Sequence, residues 1–269
     1  MAETSALGFI RRLEDASQVH RTPCGDGDMV WREWRAHRQQ ASGEIAAVVL
    51  LHGGFGSWLH WVRNVEALAE AYRVLAADIP GLGASAMPDE PITPEHIGEI
   101  LGAGLERIAG DCTRIHVVGF SFGGLLAGQV AAALGGRAAT LVLVGASGLG
   151  LPRPPLELVR REPDMDAEAL AAARRYNLRA LMLHRDESID ELALHVHAEN
   201  DRRARLRSRR MSLGDSLKRV LPSVASPVHG IWGEHDVTAG PYLEQRRRLL
   251  DELHPGGRFE VIEDAGHWV

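Results

Sequence analysis

Apolar residues in this chain gather into short continuous runs, separated by longer stretches with helical periodicity. Ile45 to Leu51, Arg73 to Ala77, Ile115 to Val118, Ala139 to Gly145, Pro227 to Trp232 and Phe259 to Ile262 have the length and β-branched content of strands buried on both faces. Between them the pattern predicts helices over about Trp58 to Ala71, Thr93 to Ala109, Leu125 to Leu134 and Tyr242 to Leu253. Thr93 is placed to cap the second of these, with Pro94 at its first position. Ahead of the first buried run, Val19–Thr22 and Met29–Arg35 flank the turn-forming Cys24-Gly25-Asp26-Gly27-Asp28. Apolar and polar residues alternate in the second of these segments, which predicts an antiparallel, half-solvated strand. Strands alternating with helices imply an α/β fold with a mostly parallel sheet covered on both faces.

The rhythm breaks after Ser147. From Gly148 to Pro222 the chain is helical in pattern and highly charged, opening with Pro152-Arg153-Pro154-Pro155 and closing with Leu221-Pro222-Ser223. The expected organisation is a core of residues 1–147 and 223–269, with 148–222 inserted as a helical cap above the strand ends. A length of 269 residues suits one large domain with such an insertion. The net charge of −6 argues against general nucleic-acid affinity. Cys24 and Cys112 are the only cysteines and give neither a disulfide framework nor metal-ligand spacing. A polar N-terminus without a signal-like apolar core, and the lack of a membrane-length apolar run, lead to the expectation of a cytoplasmic protein.

The candidate chemistry starts at Gly119-Phe120-Ser121-Phe122-Gly123. It follows a strand and opens an Ala/Leu-rich helix, the context in which a serine on a tight turn projects its hydroxyl into open space. Its competitor is a glycine-rich turn with an incidental serine, so partners must decide. In a parallel sheet the loops after the strands converge on one edge. Asp236 follows Ile231-Trp232, and His267 follows Val261-Ile262, giving the order Ser–Asp–His. Ser121 is then the expected nucleophile, His267 the base and Asp236 the acid that orients it. Asp264 is a competing acid only three residues from His267, and Glu234 and His235 are read as shaping the turn that presents Asp236. His52, His195 and His197 are set aside as metal ligands, and no metal is expected. The oxyanion donors are placed at the amides of Phe122 and Gly54, with Phe55 as the alternative to Gly54. The glycine-rich stretches lack the further residues of a P-loop or a dinucleotide fingerprint.

His52-Gly53-Gly54, Asp78-Ile79-Pro80-Gly81-Leu82-Gly83-Ala84-Ser85, the elbow, Gly233-Glu234-His235-Asp236 and Gly266-His267-Trp268 together resemble the α/β-hydrolase superfamily. That resemblance implies an eight-stranded, mostly parallel sheet flanked by helices, a cap over the site and no cofactor. Within the superfamily the chain is most similar to small capped esterases and to meta-cleavage-product (carbon–carbon bond) hydrolases. The latter group shares the His-Gly-Gly loop and the tryptophan after the histidine. It usually carries asparagine where this chain has Phe120, and a Gly-Pro pair where it has Phe55-Gly56. Serine at position 121 sets the chain apart from haloalkane dehalogenases and epoxide hydrolases, which use aspartate there. The family usually continues into a helix beyond the catalytic histidine, whereas this sequence ends at Val269, so that helix is expected to be missing.

The resulting expectation is a serine hydrolase acting through an acyl-enzyme on a small-molecule ester or similar acyl compound, with no nucleic-acid or membrane partner; the alternatives are a carbon–carbon bond hydrolase of the meta-cleavage-product type and a non-catalytic ligand-binding member of the fold. A homodimer is left open. Phe55, Phe120 and Trp268 are expected at the substrate, with Trp58, Trp61, Phe122 and Met182 as further candidates for an apolar pocket. The arginines between Asn200 and Arg210 are read as solvated, against the sharper idea that one of them holds a substrate carboxylate.

Overall fold

The computed structural model describes residues 5–36, 46–160, 162 and 164–269. Eight strands form one sheet: β1 (Gln18–Cys24), β2 (Gly27–Trp34), β3 (Ala46–Leu51), β4 (Arg73–Ala77), β5 (Arg114–Phe120), β6 (Ala138–Val144), β7 (Val228–Gly233) and β8 (Phe259–Ile262). Their order across the sheet is β1-β2-β4-β3-β5-β6-β7-β8. The β1–β2 and β2–β4 pairs are antiparallel and the rest are parallel. The mostly parallel, eight-stranded sheet expected from the sequence is therefore present. Ile45, placed in β3 by pattern, lies outside the described residues.

The strands are apolar throughout because both faces are covered. Ala47, Val49 and Leu51 of β3 belong to one core cluster, while Val48 and Leu50 belong to another. That is the two-residue alternation of a pleated strand applied to two interiors at once. The second cluster includes Ile10 and Leu13 of α1 (Ala6–Asp15), a helix the sequence reading did not anticipate. This helix corrects the half-solvated assignment of β2. Met29, Val30, Trp31 and Trp34 are all buried, and the Trp34 indole donates to the Leu13 carbonyl at 2.9 Å.

Where one helix was expected over Trp58 to Ala71, there is a 3-10 turn (Trp58–Trp61) followed by the short α2 (Val65–Ala69). Trp58 and Trp61 are buried in the second cluster, so they serve as core rather than as pocket lining. The prediction for α3 (Pro94–Ala109) holds to the cap: Thr93 accepts the His96 amide at 3.1 Å. The helix after the elbow, α4 (Phe122–Leu134), packs with α3 in the first cluster.

Between β6 and β7 the described residues carry helices and no strands: α5 (Ala167–Asn177) running into a π-helical turn (Leu178–Met182), α6 (Glu191–Arg203), α7 (Arg209–Ser212) and α8 (Ser216–Val220). The segment lies over the loops that follow the strands. Arg205 and Leu206 donate their amides to Gly81, and the Ser57 hydroxyl donates to Asn200 at 2.6 Å. Its last part joins the main core, with Leu217 and Leu221 buried in the first cluster. After β7, α9 (Leu243–Leu253) leads to β8. No described helix is long and apolar enough to cross a membrane.

Candidate functional site

Register brings the chemistry to one edge. Leu51 pairs with Gly119, Phe120 with Val144 and Gly233 with Ile262, so the loops leaving β3, β5, β6, β7 and β8 emerge side by side. At the end of β5 the chain must reverse into α4 within one residue. Ser121 does so with φ of 52° and ψ of −114°, a conformation that costs an L-residue on the order of 1–3 kcal/mol. The flanking glycines are steric necessities. A Cβ on Gly123 would lie 2.2 Å from the Leu51 carbonyl oxygen, and one on Gly119 would lie 2.3 Å from that of Gly123.

The three predicted residues meet. Nε2 of His267 lies 2.9 Å from the Ser121 hydroxyl, and Nδ1 lies 2.9 Å from Oδ2 of Asp236. Asp264 is not part of this chain of contacts; its amide donates to Glu234 instead, with the backbone at φ of 55°. Asp236 is almost fully buried. Burial by itself would raise its pKa, but the adjacent His267 and the hydrogen bonds from Thr238 outweigh that and hold the carboxyl below its ordinary range. Both the amide and the hydroxyl of Thr238 donate to Oδ1 at 2.8 Å. The sequence reading missed Thr238, although a hydroxyl two residues after an aspartate is a recognisable turn signal. It also missed Gly145, whose φ is 51°. A Cβ there would lie 3.0 Å from Nδ1 of His267 and 3.3 Å from Oδ2 of Asp236.

The His52-Gly53-Gly54 loop is held by two imidazoles. Nδ1 of His60 accepts the Gly53 amide at 3.2 Å, and Nδ1 of His52 donates to the Gly53 carbonyl at 2.8 Å. Nε2 of His52 accepts the Ile79 amide at 2.9 Å. Backbone amides only donate, so both rings must be neutral and their tautomers are fixed. Burial lowers the pKa of both; for His60 the neighbouring His52, His197 and His267 lower it further, to well below the ordinary value. The Gly53 carbonyl and the Gly54 amide share one planar trans peptide and point in opposite directions. Anchoring the first therefore aims the second. A Cβ on Gly54 would lie 3.8 Å from that of Phe122 and 2.5 Å from the Ser208 hydroxyl, so the two expected donors are neighbours beneath the inserted segment.

His60 was not singled out from sequence, yet it touches three arms of the site. Besides holding Gly53, its carbonyl accepts the Trp268 indole N–H at 3.0 Å, and its ring packs against Phe120 and Trp268 with centroids 5.5 and 5.3 Å away. Phe120 is buried and its ring lies 4.9 Å from that of His267. Phe55, with φ of 54°, is 48% exposed. Met182 contributes its carbonyl to the Trp268 amide at 2.8 Å. Among the arginines of the inserted segment, Arg202 and Arg203 pair with Glu199, and Arg205 donates to the Ser85 carbonyl. These contacts favour the solvated, structural reading of that run. His52 is buried and His195 and His197 are half-buried, and among the described residues none of the three joins a group of potential metal ligands.

Comparison with known proteins agrees with this architecture. The chain is 28% identical to a 2-hydroxy-6-oxononadienedioate/2-hydroxy-6-oxononatrienedioate hydrolase of Cupriavidus pinatubonensis, over 97% of this chain and 92% of that protein. Among solved structures it is similar in fold to the esterase RhEst1 of a Rhodococcus species, with a TM-score of 0.70 at 21% identity over 93% of this chain and 91% of the other. It is also similar to an enol-lactonase of Burkholderia xenovorans, with a TM-score of 0.64 at 21% identity over 93% of each chain. Residues 48–269 match the alpha/beta hydrolase family. With its strand order, elbow and loop arrangement, the chain belongs to that family.

Proposed function

We propose that this protein is a serine hydrolase that cleaves a carboxylic ester or related acyl compound through an acyl-enzyme. One observation carries the reading: the unbroken path from Ser121 through His267 to Asp236, with both contacts at 2.9 Å. Ser121 Oγ attacks the acyl carbon as its proton passes to Nε2 of His267. The oxyanion is met by the amides of Gly54 and Phe122, each worth about 2.7–4 kcal/mol of transition-state stabilisation. The bond to the leaving alcohol then breaks, and that alcohol takes the proton from His267. Water repeats the sequence against the acyl-enzyme, releasing the acid and restoring the serine hydroxyl. Asp236, kept ionised, holds the imidazole tautomer whose Nε2 is free to accept. Residues 148–222 act as a cap over a core of 1–147 and 223–269, and Phe55, Phe120 and Trp268 line the substrate side.

Hydrolysis of a carbon–carbon bond in a vinylogous diketone is the second reading. The similarity to the Cupriavidus 2-hydroxy-6-oxononadienedioate/2-hydroxy-6-oxononatrienedioate hydrolase, which aligns with nearly the whole chain, favours it. Phe120 weighs against it, because a buried phenyl ring offers no hydrogen bond to a dienoate. The test is a burst assay with p-nitrophenyl acetate, run beside a dienoate substrate, on wild type and Ser121→Ala. A burst on the ester that vanishes in the variant supports the first reading. Turnover of the dienoate alone supports the second. Activity that survives Ser121→Ala overturns both.

A further inference from the structure

The proposed chemistry leaves a compact group of side chains unused. His184, His235 and Asp264 each bring one potential ligand atom to within 4.8 Å of the other two. They come from three separate segments: the inserted segment just after its π-helical turn, the residue before Asp236, and the loop three residues before His267. The two imidazole rings stack, with centroids 3.6 Å apart and planes 17° from parallel. Backbone contacts, rather than long side chains reaching out, set this juxtaposition. The Trp268 amide donates to the Met182 carbonyl at 2.8 Å, and the His235 amide to the Ala265 carbonyl at 2.9 Å. A Cβ on Gly266 would lie 2.7 Å from the Met182 oxygen and 2.8 Å from the His184 nitrogen, so residues 182–184 lie directly on the loop of His267.

We propose that His184, His235 and Asp264 form a binding site for a divalent transition cation such as Zn2+ or Ni2+, which fastens the inserted segment to the loops that carry Asp236 and His267. Two imidazole nitrogens and one carboxylate oxygen suit zinc and its neighbours, whereas Mg2+ and Ca2+ favour all-oxygen sets. Bonds of about 2.1 Å require ligand atoms roughly 3–4 Å apart, so the group must contract slightly and the stacked rings must splay. His235 and Asp264 are exposed, so the site is open to a cation arriving from solvent. Glu234 completes the surroundings. Its Oε2 accepts the Asp264 amide at 3.2 Å and lies 3.6 Å from Nε2 of His235, where it can orient a ligand.

The site is independent of the serine chemistry and is tested without it. Isothermal titration of tag-free protein with Zn2+, Ni2+ and Mg2+ should give one micromolar site for the first two and none for Mg2+. At a hundredfold excess over Kd, melting should rise by about 5 °C. His184→Ala, His235→Gln and Asp264→Asn, none of them in the proposed catalytic machinery, should each weaken binding at least tenfold and remove most of the shift. Co2+ should give visible absorption bands in wild type that are lost in His184→Ala. Retention of wild-type Zn2+ affinity by folded His184→Ala and His235→Gln would overturn the proposal, as would the absence of any Zn2+-dependent shift in wild type.

Discussion

Replacing His60 is the sharpest test of how this site is built. Its Nδ1 is the acceptor for the Gly53 amide at 3.2 Å, inside a wall formed by Phe120 and Trp268. In His60→Ala that amide loses its partner, at a cost of about 1–3 kcal/mol for an unsatisfied buried donor. That N–H lies on the His52–Gly53 peptide, next to the Gly53–Gly54 peptide that carries the Gly54 N–H, so if the first turns toward another acceptor the torsions at Gly53 shift the second and pull on its anchor at His52. Loss of one oxyanion donor corresponds to about 2.7–4 kcal/mol, or 10²- to 10³-fold in kcat. His60→Ala should therefore lower kcat for p-nitrophenyl acetate by about a hundredfold while KM changes much less, because the lost contact acts on the transition state. His60→Asn keeps an acceptor at nearly the same reach, and its kcat should stay within about tenfold of wild type. The assay is steady-state kinetics on both variants, with circular dichroism and melting to confirm folding. A folded His60→Ala with kcat within threefold of wild type would refute the reasoning, because the anchor from His52 to the Gly53 carbonyl would then be holding the Gly54 amide without help from His60.

Other consequences follow from the same geometry. Asp236→Asn should keep the fold but favour the wrong imidazole tautomer, lowering kcat by about 10³- to 10⁴-fold at neutral pH, as burst and steady-state kinetics would register. Gly145→Ala places a methyl 3.0 Å from His267 at φ of 51°, and should lower both kcat and the melting temperature, the latter by a few degrees. Acid stability is fixed in sign. Burial lowers the folded-state pKa of His60, His52, His116 and His197, so below about pH 6.5 the unfolded chain binds protons that the folded chain does not. Stability should rise with pH between the lowered folded-state values and about 6.5, then level off. His60→Asn should flatten that slope in urea titrations at pH 5 to 7, and an unchanged slope would show that His60 does not contribute to it.

Much was legible from the chain itself. Short runs such as Ala46–Leu51, buried on both faces, could only be strands inside a covered sheet. Thr93 and Pro94 marked the start of α3, and Gly119, Ser121 and Gly123 announced a turn too tight for larger neighbours. Once the strands were placed, topology alone put Asp236 and His267 beside Ser121, because in a parallel sheet the loop after each strand opens on the same edge. These features are local, or follow from local features plus the handed rules of sheet connection.

Other features needed the folded chain. The alternation in β2 read as half-solvated because nothing local shows that α1 will cover it. The stretch from Trp58 to Ala69 broke into a 3-10 turn and a short helix because Trp58 packs onto Trp34 and its amide, Trp58 N–H, is taken by Asp78, twenty residues on. His60 was one more histidine in an apolar stretch until Gly53, Phe120 and Trp268 closed around it. His184 gained neighbours only when the inserted segment settled on the loop of His267. Periodicity and turn chemistry are written residue by residue, so sequence alone determined the sheet, the elbow and the order of the three site residues. Contacts between segments tens to hundreds of residues apart depend on how whole layers dock, and only the tertiary structure decided them.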